Sequence, residues 1–201
     1  MLPFEPAALI FDCDGTLADT MPAHYEAWVA TMSRYGVPFE EDLFYDLGGW
    51  PTLQVAEHLL SRAKPRTPVT PEQIVVEKES LFEQSLTSIR PIDPVVEVAR
   101  RHKDQLPMAV ASGGLRRIVE AVLCHLEIAP WFRTIVTCED VTQHKPQPDI
   151  YLEAARRLNV HPTLCLAFED TDPGVQAAYA AGMQVIDVRS LYTPRRVTVA
   201  A

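Results

Sequence analysis

The sequence predicts an α/β protein: a Rossmann-like, doubly wound parallel sheet with an all-helical domain inserted after its first strand. Three observations carry that expectation. Apolar runs of four or five residues, bounded by turn formers, recur after residue 90 and alternate with segments of helical periodicity. Between residues 19 and 88 only the helical period is present. The first apolar run, residues 7–11, stops on a carboxylate, Asp12, so a buried strand delivers a polar group to its C-terminal end, the edge at which open parallel sheets bind ligands.

The elements follow in order. Beyond strand one, Asp12 and Asp14 lie two apart in extended chain, so both side chains point one way, about 6 to 7 Å apart, while Cys13 points elsewhere. Gly15 then permits a sharp turn. From Asp19, the residues Met21, Tyr25, Trp28, Val29, Met32 and Tyr35 recur at spacings of three and four until Gly36 and Pro38 end the helix. Three more helices are expected over 40–47, closed by Gly48 and Gly49, over 52–63, and over 71–86, where Thr70 caps and Pro71 takes the first helical position. The alternation then begins, with strands at 107–111, 134–137, 164–168 and 184–187 and helices at 94–105, 115–126, 148–158 and 173–181. Right-handed β-α-β crossovers make such a sheet parallel and cover both faces. The expected division is a core of residues 1–18 and 89–201 and an inserted helical domain of residues 19–88.

Composition narrows the function. A chain of 201 residues is long enough to bury a sizeable core. With 18 Lys and Arg against 27 Asp and Glu, the net charge is −9, which offers no broad basic surface for nucleic acid. An anionic substrate therefore needs a local device, and a metal ion is the obvious one. The four cysteines, Cys13, Cys124, Cys138 and Cys165, are scattered without a C-x-x-C pair and read as reduced thiols. No basic start precedes the first apolar run, which Asp12 cuts short, so neither a signal peptide nor a membrane span is expected. The expectation is a cytoplasmic monomer.

The predicted strand ends collect chemistry on one sheet edge: Asp12, Ser112 with Gly113 and Gly114, and Glu169 with Asp170, while Lys145 precedes a helix opened by Pro148. Two like charges 4 Å apart repel by about 4 kcal/mol at an effective dielectric of 20, so clustered carboxylates call for a cation. Hard oxygen donors with positions left for water and phosphate suit Mg2+.

Asp12-Cys13-Asp14-Gly15-Thr16, Ser112, Lys145-Pro146-Gln147-Pro148-Asp149 and Glu169-Asp170 resemble, in order and spacing, the four motifs of the haloacid dehalogenase superfamily in its β-phosphoglucomutase-like branch. The resemblance spans the core and, more loosely, the helical insertion, which in that branch is a cap. It implies that Asp12 attacks phosphorus to form an aspartyl phosphate and that Asp14 protonates the leaving alkoxide, then deprotonates the hydrolytic water. It further implies Mg2+ on the Asp12 carboxylate, the Asp14 carbonyl and Asp170, with Glu169 as a further or water-mediated ligand. Ser112, the Gly113 amide and Lys145 are implied as phosphoryl ligands. Thr20, His24, Trp50 and Lys78 are the cap residues expected to read the leaving group.

The substrate expected on this basis is a small phosphorylated metabolite, such as a sugar phosphate of the fructose 1-phosphate or 6-phosphogluconate kind. A haloacid dehalogenase lacks a carboxylate at the position of Asp14. A phosphosugar mutase carries an arginine in the cap loop where Thr52 stands here, although His24 and Lys78 match mutase cap residues. A phospho-receiver domain places its phosphoacceptor after the third strand and has no insertion. The remaining expectation is a cap closing on hinges near residues 17–20 and 88–91.

Overall fold

The computed structural model describes residues 4–194, 196 and 197. Five strands form one wholly parallel sheet: β1 (Ala8–Phe11), β2 (Met108–Ala111), β3 (Thr134–Val136), β4 (Cys165–Glu169) and β5 (Gln184–Asp187). Their order is β3-β2-β1-β4-β5, so the winding reverses at β1, between β2 and β4. That reversal opens a crevice at the C-terminal end of β1, where Asp12 stands.

Alternation along each strand explains the two covered faces. Leu9, Phe11, Val110, Leu166 and Phe168 join one buried cluster with α5 (Asp93–His102) and α6 (Arg116–His125). Phe11 stacks on Phe168 with ring centres 4.7 Å apart. The other face carries small residues, Ala8, Ala109, Ala111 and Ala167, against Ala154, Ala155, Ala177 and Ala178 of α7 (Asp149–Leu158) and α8 (Asp172–Ala180). Small side chains on both partners let these helices lie close to the sheet. Element boundaries lie within three residues of the expected ones. The largest shift is in the helix expected over 94–105, which ends at His102, and the fourth helix ends at Gln84 and passes into a 3-10 turn over Leu86–Ser88.

Between β1 and α5 lie only helices: α1 (Met21–Arg34), α2 (Glu41–Asp46), α3 (Thr52–Arg62) and α4 (Pro71–Gln84). They bury a cluster of their own built on Tyr25, Trp28, Met32, Phe39, Phe44, Leu59 and Ile74. The α4 start is a full capping box, with Gln73 N donating to Thr70 Oγ1 and Thr70 N donating to Gln73 Oε1. Chain enters and leaves this block side by side, since Asp19 N donates to Arg90 O at 2.9 Å and Ala18 bridges Pro91. A second tie was not legible in the sequence: Arg196 pairs with Asp42 and lies 4.8 Å over the Tyr45 ring, and Val197 N donates to Glu41 Oε1. Among the described residues no helix is long and apolar enough to cross a membrane.

Candidate active site

Asp12 leaves β1 with its amide still on the Phe168 carbonyl, which fixes the backbone beside β4. Its carboxylate accepts from Lys145 Nζ at 2.7 Å. The same ammonium donates to Glu169 Oε1 at 2.5 Å and to the Ala111 carbonyl at 3.2 Å, so each of its three hydrogens has an acceptor. Burial alone would discharge Lys145, but the charges of Asp12 and Glu169 hold its pKa well above the usual lysine range. Asp12 is pushed the same way for a different reason: burial, reinforced by Glu169, Asp170 and Asp14, outweighs Lys145 and lifts its pKa well above the carboxylate range.

Glu169 spends its other oxygen on the start of α8, accepting from the amides of Asp170 and Thr171, each at 2.8 Å, and from Thr171 Oγ1 at 3.0 Å. Room for this fold-back exists because residue 174 is glycine, where a Cβ would overlap the Glu169 carboxylate. Asp170 accepts from Thr16 Oγ1 at 2.9 Å and sits against Gly15, whose φ of +79° and lack of a side chain allow the contact. Burial and the Glu169 charge raise Asp170 to about 8, against the Thr16 hydrogen bond.

Asp14 has the opposite environment. Thr20 is the N-cap residue of α1 but does not cap it; its hydroxyl donates instead to Asp14 Oδ1 at 2.7 Å. His24 Nε2 lies 3.1 Å from the same oxygen, and its Nδ1 lies 2.7 Å from Lys78 Nζ. An ammonium has no lone pair, so Nδ1 accepts and Nε2 carries the hydrogen that Asp14 receives. Burial would raise the Asp14 carboxyl, but the hydrogen bonds from His24 and Thr20, with the Lys78 charge beyond them, hold it below the usual carboxylate range. The chain of contacts continues outward: Lys78 donates to Glu79 Oε1 at 3.1 Å, and so does Thr52 Oγ1 at 2.9 Å. Phe82 stacks flat under the His24 ring at 3.8 Å.

Asp12, Asp14, Ser112, Gly113 and Glu169 from the sheet edge and His24, Thr52, Lys78 and Glu79 from the helices, with Trp50 from the loop between α2 and α3, line one cavity of about 90 Å³. Lys145 and Thr20 stand one contact behind it, through Asp12 and Asp14. Asp170 lines a neighbouring cavity with Tyr45, Asp46 and Arg189. Ser112 Oγ accepts from the Gly114 amide at 3.1 Å, and the loop over Gly48 and Gly49 presses onto Gly113, where a Cβ would lie 2.8 Å from the Gly49 carbonyl oxygen.

Oxygen donors of Asp12 and Asp170 are the groups here that fit a cation: both carboxylates are buried, the Asp170 charge raises the pKa of Asp12, Glu169 and Asp14 raise that of Asp170, and the Lys145 ammonium beside Asp12 is already shared with Glu169. Among the described residues no three His, Cys, Asp or Glu side chains form a ready-made cage. Such a set suits Mg2+, which takes one or two carboxylates and fills its remaining positions with water and phosphate.

Four residues of this network escaped the sequence reading as functional candidates: Thr16, Thr171, Gly174 and Glu79. Gly174 had a signal, because a glycine in the first turn of a helix costs about 1 kcal/mol against alanine and asks for a reason. Lys78, the partner of Glu79, has a signal of its own: Ile74, Lys78 and Phe82 are spaced by four along α4 and all are buried, so a charge interrupts an apolar stripe.

Comparison with known proteins gives a consistent picture. Residues 9–188 match the family described as haloacid dehalogenase-like hydrolase. The fructose-1-phosphate phosphatase YqaB of Escherichia coli is 39% identical over 186 residues, covering 92% of this chain and 97% of that protein. A phosphorylated carbohydrates phosphatase of Thermotoga maritima is 30% identical, over 89% of this chain and 83% of its own. Among solved structures, CbbY of Rhodobacter sphaeroides, in complex with xylulose-1,5-bisphosphate, superposes with a TM-score of 0.82 at 26% identity, covering 90% of this chain and 84% of that one.

Proposed function

The chain belongs to the haloacid dehalogenase-like hydrolase family, and from its site we propose a Mg2+-dependent phosphatase that hydrolyses a small sugar phosphate through an aspartyl phosphate on Asp12. The observation that carries this reading is the placement of an Asp12 carboxylate backed by Lys145 on one cavity with Asp14, Ser112 and the Gly113 amide.

In the proposed reaction an Asp12 oxygen bonds to phosphorus as the ester bond to the sugar breaks, and the departing oxygen takes a proton from the Asp14 carboxyl. Water then attacks the phosphorus and gives its proton to the Asp14 carboxylate as the acyl-phosphate P–O bond breaks, restoring Asp12 and releasing phosphate. The ionised Asp14 of this structure, held by Thr20 and His24, is the form the second half needs. A phosphoryl dianion placed beside it raises its pKa and favours the protonated form for the first half. Ser112 and the Gly113 amide offer hydrogen bonds to the phosphoryl oxygens. Lys145 has its hydrogens committed to Asp12, Glu169 and Ala111, so it acts by aiming Asp12 and by its field. Mg2+, held by Asp12, the Asp14 carbonyl and Asp170, would supply charge neutralisation between nucleophile and phosphate.

A cavity of about 90 Å³ is well under the roughly 300–1,000 Å³ of ordinary ligand sites, so residues 19–88 act as a cap that opens on the paired linkers near Ala18 and Pro91. In Gly113→Ala the new Cβ meets the Gly49 backbone and keeps the cap loop from seating. Phosphate-release kinetics should show kcat/KM lowered by roughly tenfold to a hundredfold with the melting temperature nearly unchanged.

The cation claim has a readout apart from turnover. Mg2+ at about 100 times its Kd stabilises by about 2.7 kcal/mol, which for a chain of this size raises Tm by roughly 5 to 10 °C. Differential scanning fluorimetry should show that rise in the wild type and none in Asp170→Asn. The overall reading is tested by a panel of sugar monophosphates assayed for phosphate release with Mg2+ and with chelator. Conversion of β-glucose 1-phosphate to glucose 6-phosphate with little free phosphate would indicate a mutase instead, but Thr52 gives its hydroxyl to Glu79 and offers a second phosphoryl group no cation.

A further inference from the structure

Glu79 is buried to 1% exposure on α4, yet it lines the cavity. Its Oε1 is fully used by Lys78 and Thr52, whereas its Oε2 is buried with no hydrogen-bond partner. Buried carboxylate oxygens without a donor are rare and costly, and those that persist in native proteins need an explanation. A ligand that brings its own donor is such an explanation, and the cavity that Glu79 lines is where that ligand would sit.

Charge points the same way. Lys78 is the one Lys or Arg among the described residues that line this cavity, and it is already paired with Glu79. Asp12, Asp14, Glu79 and Glu169 supply four carboxyl groups to the same walls. Glu79 stands on the helical side, joined to Asp14 through Lys78 and His24, and Asp14 is where the leaving oxygen departs in the proposed reaction. A hydroxyl on the leaving group satisfies Oε2. A second phosphoryl group there meets a buried carboxylate with no cation to spare.

We propose that Glu79 is a specificity-determining residue at the leaving-group end of the cavity: it accepts a hydrogen bond from a hydroxyl of the sugar and rejects substrates carrying a second phosphoryl group. The assignment rests on the phosphatase reading above. It goes against a purely structural role, in which Glu79 does no more than neutralise Lys78 and its loss weakens turnover of all substrates alike.

Three substrates separate these roles: a hexose monophosphate, the corresponding bisphosphate, and p-nitrophenyl phosphate, whose leaving group has no further hydroxyl. In Glu79→Gln the ratio of kcat/KM for the hexose monophosphate over p-nitrophenyl phosphate should fall by about tenfold to a hundredfold, mainly through KM, as expected for losing a hydrogen bond to a charged acceptor. The bisphosphate over monophosphate ratio should rise by at least about tenfold, because the repelling charge is gone. Glu79→Asp keeps the charge on a shorter arm, so it should lose the first preference and keep the rejection of bisphosphate. Wild-type turnover with both ratios unmoved in the two variants overturns the assignment alone. A wild type that hydrolyses none of the three substrates overturns the phosphatase reading, and this assignment with it.

Discussion

Asp12→Asn is expected to lower Mg2+-dependent phosphate release by about ten-thousandfold or more while leaving the protein at least as stable as the wild type. The side chain keeps its shape, and its amide oxygen still accepts from Lys145, which retains Glu169 and Ala111 as further acceptors. What is lost is the anionic nucleophile. What is gained is relief of crowding, since burial and the charges of Glu169, Asp170 and Asp14 all work against an ionised Asp12. The pH dependence follows from the sign of that shift. A carboxyl whose folded pKa is raised contributes stability that is fully present below the unfolded value, about 3.9, and is lost as pH rises through the folded value. With chelator present, thermal melts should therefore show the variant matching the wild type near pH 4 and exceeding it near pH 7. Turnover within tenfold of the wild type would show that another group attacks phosphorus.

Much of this arrangement was legible because its parts sit where local rules are strict. A buried parallel strand cannot end on a carboxylate without a purpose, so Asp12, Glu169 and Asp170 stood out against the apolar runs before them. The order β3-β2-β1-β4-β5 was not legible in the same way, because crossovers of one hand fix how each β-α-β unit winds but not which strand returns to the far side of β1. Thr20, expected to read the leaving group, stands at the N-cap position of α1 yet gives its hydroxyl to Asp14, because a buried carboxylate in need of donors outbids a solvated helix end. Glu79 was out of reach for a different reason. Its environment comes from Thr52, Lys78 and the cavity wall, which meet only when α3 and α4 pack, and no spacing within one helix encodes that. The tie from Arg196 and Val197 to α2 is equally non-local, made across more than 150 positions of sequence.

Gly174→Ala separates the site's demands from those of the helix it opens. Helix propensity alone predicts a gain, since alanine is favoured over glycine by about 1 kcal/mol in a helix. The geometry predicts the opposite, because the new Cβ would occupy the volume of the Glu169 carboxylate. Glu169 must then leave Lys145 and the amides of Asp170 and Thr171, and the α8 cap formed by Thr171 Oγ1 on Gly174 N is disturbed with it. Breaking a buried, hydrogen-bonded ion pair costs about 3 to 5 kcal/mol, several times the propensity gain. The larger effect decides the sign, and Tm should fall by roughly 10 °C in a chain of this size. Lys145 would keep Asp12 but lose the acceptor that fixes its direction, so phosphate release should drop by about a hundredfold as the nucleophile is misplaced. A variant that melts higher than the wild type would mean that Glu169 reaches its partners by a route the glycine does not provide.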